Sequence, residues 1–241
     1  MKKLRSQIRN TEIDAFSDTV LRLFNADKQA QQEEFLTNLM AELDELSAKI
    51  TTAILQDKAL STLEETDSER DEAVKALGAI LNAYAVFPIA SKKELSLPLK
   101  AIYDKYAKAG IVSANYASES SMIEILIEDF SAKEIAENIA SLEGVTETLA
   151  SIRTAQNAFT KANDEYVKAN ANKNASASSF NKPIVLLVNE KLIPYLNTME
   201  LMGNKNCADF SKSVEAEINR MNETIAKRNN KKNATSNEIT Q

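Results

Sequence analysis

The chain has 241 residues and a net charge of −6, with no histidine, one cysteine, four glycines and four prolines. Average usage would supply about 17 glycines and about 12 prolines, and a sheet needs such turn residues every few positions, so the composition excludes a strand-rich fold. The missing histidine excludes catalytic triads, imidazole acid–base chemistry and the commonest metal ligand, and the acidic balance argues against general nucleic-acid binding.

The chain opens on a basic arm, residues 1–10, carrying Lys2, Lys3, Arg5 and Arg9. No apolar run follows it, so it does not read as a signal peptide. Asn10 or Thr11 caps a first helix with Ile13, Phe16, Val20, Leu23 and Phe24 on one face. A second helix runs from about Gln31 to Gln56 on the stripe Phe35, Leu39, Leu43, Leu46, Ile50 and Ala53. After a break near Asp57-Lys58, a third reaches Phe87 on Leu60, Leu63, Val74, Leu77, Leu81 and Tyr84, with Thr66-Asp67-Ser68 as a second place to break. Gly78 within it suggests close approach of another backbone, or is a tolerated glycine.

Phe87-Pro88 ends that element, and Ser91 with Glu94 reads as a capping box for a fourth helix, with Pro98 as an alternative start. Gly110 closes it as a left-handed cap. Ser118 or Glu119 opens a fifth helix along Met122, Ile123, Leu126, Ile127 and Phe130. Ser131 with Glu134 is a second capping box, for a short sixth helix ending at Glu143-Gly144. A long helix follows from Val145 to about Asn172, then a polar loop, 172–179. The next helix is expected to begin at Lys182-Pro183, be apolar on every side over Ile184–Val188, kink at Pro194 and end at Gly203. Phe210, Val214, Ile218, Met221 and Ile225 mark the last helix.

The fold expected is all-α: a bundle of seven to eight helices with two long antiparallel hairpins, at 31–87 and 145–203. The order of elements suggests a first helical unit at 11–110, a second at 111–229 packed on it, and a disordered tail at 230–241. Duplication of a four-helix unit is one alternative that this order of elements raises.

No catalytic, cofactor or metal site is expected. One cysteine, Cys207, builds no zinc or iron–sulfur centre, and no glycine-rich phosphate loop is present. The one candidate polar cluster is Asp67, Arg70 and Asp71, at i, i+3 and i+4. It is either a polar site inside the bundle or a solvated ion-pair set on a helix surface. Gln156, Asn157 and Asn163 lie beside an apolar stripe, as register-fixing amides or as boundary residues.

Three stretches resemble a domain-of-unknown-function family of all-helical Bacteroidetes proteins of about this length. An arginine–asparagine–x–glutamate signature followed by an aromatic is similar to Arg9, Asn10, Glu12 and Phe16. An aspartate followed by an arginine–aspartate pair is similar to Asp67, Arg70 and Asp71. An alanine–asparagine–x–alanine–phenylalanine pattern is similar to Ala155-Gln156-Asn157-Ala158-Phe159, with glutamine in the second place. An arginine expected a turn or two later is replaced at Tyr166 and Val167. The resemblance spans nearly the whole chain and implies an all-helical bacterial protein, but no activity.

Three functions are weighed. The first is a non-enzymatic cytoplasmic helical scaffold that binds a protein, with a homo-oligomer allowed. The second is a small-molecule binder or enzyme using carboxylates, Tyr, Lys and Arg between the two units. The third is a nucleic-acid or membrane-surface binder acting through basic termini. The lone cysteine and the lack of a membrane-length apolar run place the protein in the cytoplasm.

Overall fold

The computed structural model describes residues 1–171 and 175–238, with side chains as far as residue 230. Every regular element among them is helical: α1 Asn10–Ala26, α2 Glu34–Ala85, α3 Ala90–Lys108, α4 Tyr116–Asp129, α5 Ala136–Ser141, α6 Val145–Asn170, α7 Ala177–Leu187, α8 Ile193–Leu201 and α9 Ala208–Glu238. A π-turn, Val188–Leu192, joins α7 to α8 without a break, so the two form one rod and the expected all-α multi-helix architecture is present. No described helix is long and apolar enough to cross a membrane.

The division of the chain differs from the expected one. One compact unit holds the described residues of Met1–Asp57 and Asn172–Gln241; the other is Lys58–Ala171. Residues 111–229 are therefore shared out between both units, and neither 11–110 nor 111–229 is a body of its own. In unit one, α1 packs on α7 and α9, and α8 packs on α9. In unit two, α3 packs on α4 and α5, and α6 packs on α4 and α5. Pairing of the two ends of the chain, α1 with α9, is what a tandem division overlooks.

α2 has 52 residues and replaces the expected first hairpin. Neither Asp57-Lys58 nor Thr66-Asp67-Ser68 breaks it. Neither stretch contains glycine or proline, and the Thr66 hydroxyl donates back to the carbonyls of Thr62 and Leu63, inside the helix. The apolar face changes phase along its length. Leu36, Leu39, Met40, Leu43 and Ile50 enter the core of unit one, while Leu63, Val74, Leu77 and Leu81 are buried in unit two. Leu36 takes the place expected for Phe35, which is 51% exposed and stacks on Tyr195. Leu60 is also exposed.

Other boundaries move for local reasons. Asn115, not Ser118 or Glu119, caps α4, accepting a hydrogen bond from the Ser118 amide at 3.0 Å. Ser131 donates to the Ile127 carbonyl at 2.7 Å, and Ala132, with no side-chain cap bond, takes the N-cap position. α3 begins at Ala90, which leaves Ser91 and Pro98 inside it. α7 begins at Ala177 rather than at Pro183. Of the expected loop 172–179, residues 172–174 lie outside the described residues. Of the expected tail, the backbone is helical through Glu238, and residues 239–241 lie outside the described residues.

Gly110, Gly144 and Gly203 all have positive φ, at the ends expected for them. Gly203 closes α8 in a Schellman motif, its amide bonded to Glu200 O and the Asn204 amide to Met199 O. The first ten residues are not a free arm. Leu4 and Ile8 are buried in the core of unit one, with only 2% and 4% exposure.

Gly78 faces a side chain, not a backbone. A Cβ there would stand 2.4–2.7 Å from the Tyr103 ring and hydroxyl. Gly78→Ala should therefore lose about 1 kcal/mol net, overpacking exceeding the gain of about 1 kcal/mol in helix propensity. In a Tyr103→Ala background the same change should turn stabilising, a reversal that thermal unfolding of the four variants measures.

Candidate functional site

The expected cluster Asp67, Arg70 and Asp71 is assembled on α2, but it is not a surface set. Arg70 is 0% exposed, the largest fully buried side chain of the described residues. Its Nη2 donates to Asp67 Oδ1 at 2.6 Å and to Glu119 Oε2 at 2.7 Å. Its Nη1 donates to Ser120 Oγ at 2.9 Å and points at Gln156 Oε1 at 3.4 Å. Its guanidinium carbon lies 3.6 Å from the centre of the Phe159 ring, and Tyr116 meets that ring edge-on at 5.2 Å. A cation over an aromatic face in a desolvated place is attracted by the ring quadrupole.

Local structure explains this convergence. Asp67 and Arg70 are one helical turn apart on α2. Tyr116, Glu119 and Ser120 occupy the first turns of α4, which the Asn115 cap holds in place. Gln156 and Phe159 are one turn apart on α6. Three helices of unit two therefore each turn a polar residue toward one point. Asp71 stands beside it, taking Lys75 on Oδ2 at 3.0 Å.

Three buried polar atoms of the cluster have no hydrogen-bond partner among the described residues: Arg70 Nε, Asp71 Oδ1 and Glu119 Oε1. Two of them are acceptors on neighbouring carboxyls, and Asp71 is within hydrogen-bonding reach of Glu119. A proton on Glu119 Oε1, donated to Asp71 Oδ1, satisfies both. Burial is the largest cause that pushes the Glu119 carboxyl up, to about 7; Arg70 opposes it, and Asp67 and Asp71 add to it. A proton held on Glu119 leaves Arg70 and Lys75 bonded to the carboxyls of Asp67 and Asp71 beside it. Burying an unmatched charge is the costly alternative.

Glu119 and Ser120 were missed by the sequence reading, which treated Glu119 as a helix opener. The signal was present: Glu119, Ile123 and Leu126 are spaced by four and three, so Glu119 lies on the buried stripe of α4. Gln156 is buried, as the register-fixing alternative required, and lies on the stripe of Ile152 and Phe159. Asn157 and Asn163 take no part in the cluster. Cys207 is buried in unit one, and its thiol is pushed up chiefly by that burial, which disfavours thiolate chemistry. Among the described residues, no group of three or more Asp, Glu or Cys is placed to hold a metal ion.

Fold and cluster together define an all-helical protein organised around a buried arginine–carboxylate centre. The family of unknown function DUF6261 matches residues 60–222, and the chain belongs to that family. The matched stretch contains the whole Arg70 cluster, and Arg9, Asn10, Glu12 and Phe16 lie outside it. Two of the resembling motifs, at 67–71 and 155–159, are separate in sequence and meet at Arg70. No curated protein and no solved structure matches the chain.

The Glu119 carboxyl has its pKa raised in the fold, so the folded protein holds this proton more tightly than the unfolded chain. Its contribution, up to about 3 kcal/mol, is complete below the unfolded pKa of about 4.5 and is lost as pH rises through about 7. Thermal midpoints should fall between pH 5 and pH 7.5, and Glu119→Gln, a neutral donor and acceptor of the same shape, should remove that slope. Arg70→Met leaves buried carboxylates unmatched and should cost about 3–5 kcal/mol at pH 7.5, less at pH 5.

Proposed function

We propose that this is a non-enzymatic cytoplasmic helical protein that works by binding another protein. The observation that carries this is the turn between α2 and α3. Val86, Phe87 and Ile89 are 80%, 40% and 53% exposed, and with Pro88 they form a continuous apolar tip on a chain that is 27% charged. Single exposed apolar residues are ordinary, whereas a contiguous apolar patch marks a contact surface. The turn holds its shape, with the Phe87 amide bonded to Tyr84 O at 3.1 Å and the two rings 5.6 Å apart. A preorganised apolar tip loses little entropy when it is covered.

The geometry of the Arg70 cluster supports a structural role for its charges. Its guanidinium is wholly buried, and both terminal nitrogens bond to side chains of its own unit, whereas an arginine that binds a substrate must present its fork outward. The single buried cysteine fits a reducing compartment.

The test compares the intact protein with Val86→Asp/Ile89→Asp as baits in lysate of the encoding organism. These exposed sites should change stability by no more than about 0.5 kcal/mol. A protein retained by the native chain and lost by the variant is the expected result. Identical retention by both, or none by either, overturns the reading.

A further inference from the structure

In unit one the first ten residues are held by side-chain amides in the manner of a bound peptide. Asn189 Oδ1 accepts from the Leu4 amide at 2.8 Å, and its Nδ2 donates to the Leu4 carbonyl at 2.9 Å. Asn222 Oδ1 accepts from the Arg5 amide at 3.0 Å, and its Nδ2 donates to the Lys3 carbonyl at 2.9 Å. In an extended chain the N–H and C=O of one residue point to one edge, and those of its two neighbours point to the other. Asn189 therefore reads one edge of the segment and Asn222 the opposite edge. The segment then turns at Ser6-Gln7, where the Ile8 amide bonds to Arg5 O at 3.3 Å, and beyond the turn Asn181 Nδ2 donates to the Ile8 carbonyl at 3.1 Å.

All five asparagine bonds address main chain, so they are indifferent to the sequence they hold. Selectivity is left to the apolar side chains: Leu4 and Ile8 are buried and Met1 packs on the same core, while Lys2, Lys3, Arg5, Ser6, Gln7 and Arg9 are exposed. The surroundings carry three carboxylates and one guanidinium, Arg228, whose Nη2 donates to the Gln7 carbonyl at 2.6 Å. Glu190 pairs with Lys3 at 2.8 Å, and Glu215 and Glu223 line the recess beside the segment. Asn189 is only 9% exposed, beside the buried Val188 and Leu192. An unpaired amide there would be costly, so its place is set by the segment it holds.

We infer that this groove of unit one is a binding site for a short basic peptide segment of a partner protein, extended over three residues and then turning, with branched aliphatic residues four apart on either side of the turn, and that residues 3–8 are its occupant in cis. The site names a partner class and so rests on the interaction reading, but it uses none of the residues of the Val86–Ile89 turn. Loss of peptide binding with an intact Val86 contact would remove this site alone, and the converse would remove the turn alone.

The probe is a synthetic peptide copying residues 1–10, and the primary experiment uses the unmodified full chain. Amide exchange at Leu4 and Arg5 is followed by NMR as unlabelled peptide is added to labelled protein. Displacement requires peptide to exceed the effective concentration of a tethered segment, on the order of 1 mM. Exchange at both amides should then quicken at least about tenfold, whereas the peptide bearing Leu4→Asp and Ile8→Asp should leave it unchanged. A full chain carrying Leu4→Asp/Ile8→Asp should bind the native peptide without that competition, and adding Asn189→Ala should weaken binding roughly thirtyfold through the loss of two hydrogen bonds. Unchanged exchange in the unmodified chain overturns the inference whether or not the variant folds. Quickened exchange with both peptides alike overturns its selectivity. A dimer formed by exchanging the segment between copies, with no peptide bound, also overturns it and assigns the groove to a second copy of the chain.

Discussion

The charge of Arg70 governs how unit two is assembled. A guanidinium removed wholly from water must be matched in charge and in hydrogen bonds, or it costs several kcal/mol. α2 supplies only Asp67 from its own turn; the remaining partners come from α4 and α6. Each is usable at one rotation of its helix. Turning α4 by one residue would carry Glu119 out of reach of Arg70, and turning α6 would move Phe159 off the face of the cation. Apolar packing of Ile123, Leu126 and Ile152 tolerates small rotations, because one methyl group replaces another at little cost. The arginine does not, so it selects among packings that the hydrophobic core alone would leave close in energy.

Unit one solves the same problem mainly with neutral amides. Its cross-links are the amides of Asn181, Asn189 and Asn222, together with a Glu33 carboxylate that accepts from Asn204, Asn206 and Tyr195. Those donors hold Glu33 below the usual carboxylate range, with the Asn204 bond the largest cause. Amides carry no proton equilibrium, whereas Glu119 in unit two is poised near neutrality. The two units therefore answer pH with opposite signs: lowering it protonates Glu119, which suits unit two, and weakens the bonds that need an ionised Glu33.

Periodicity made the helical class legible, and glycine chemistry made the ends at Gly110, Gly144 and Gly203 legible. Continuity of α2 was not. Thr66-Asp67-Ser68 has the residue types of a break or a new cap, but such residues do not end a helix when neither glycine nor proline is present. Arg70 sits four residues before Val74 and seven after Leu63, on the buried stripe itself. A cation on an apolar stripe announces a buried partner, and that signal was outweighed by the commoner surface ion pair. The partners on α4 and α6 were beyond local reading, because i, i+4 rules do not reach residues 49 and 86 positions away. The first ten residues misled through their charge: four cations hid the pair Leu4 and Ile8, and the asparagines that hold them lie about 180 and 220 residues later.

The placement of Asn189 follows from one proline. Pro194 has no amide hydrogen, so the carbonyl of Glu190 loses its α-helical partner. The rod re-forms one residue out of step, with the Ile193 amide bonding Val188 O across five residues. A π-turn inserts one residue into the helix, and one residue is about 100° of rotation. α7 and α8 thus face the core with different phases, Ile184 and Val188 on one side of the insertion and Leu192 and Leu196 on the other. Asn189 lies inside the widened turn, where its side chain leaves the line of the apolar stripe and reaches the backbone of Leu4. A proline expected only to bend the helix instead sets the register that lets an amide grip an extended segment.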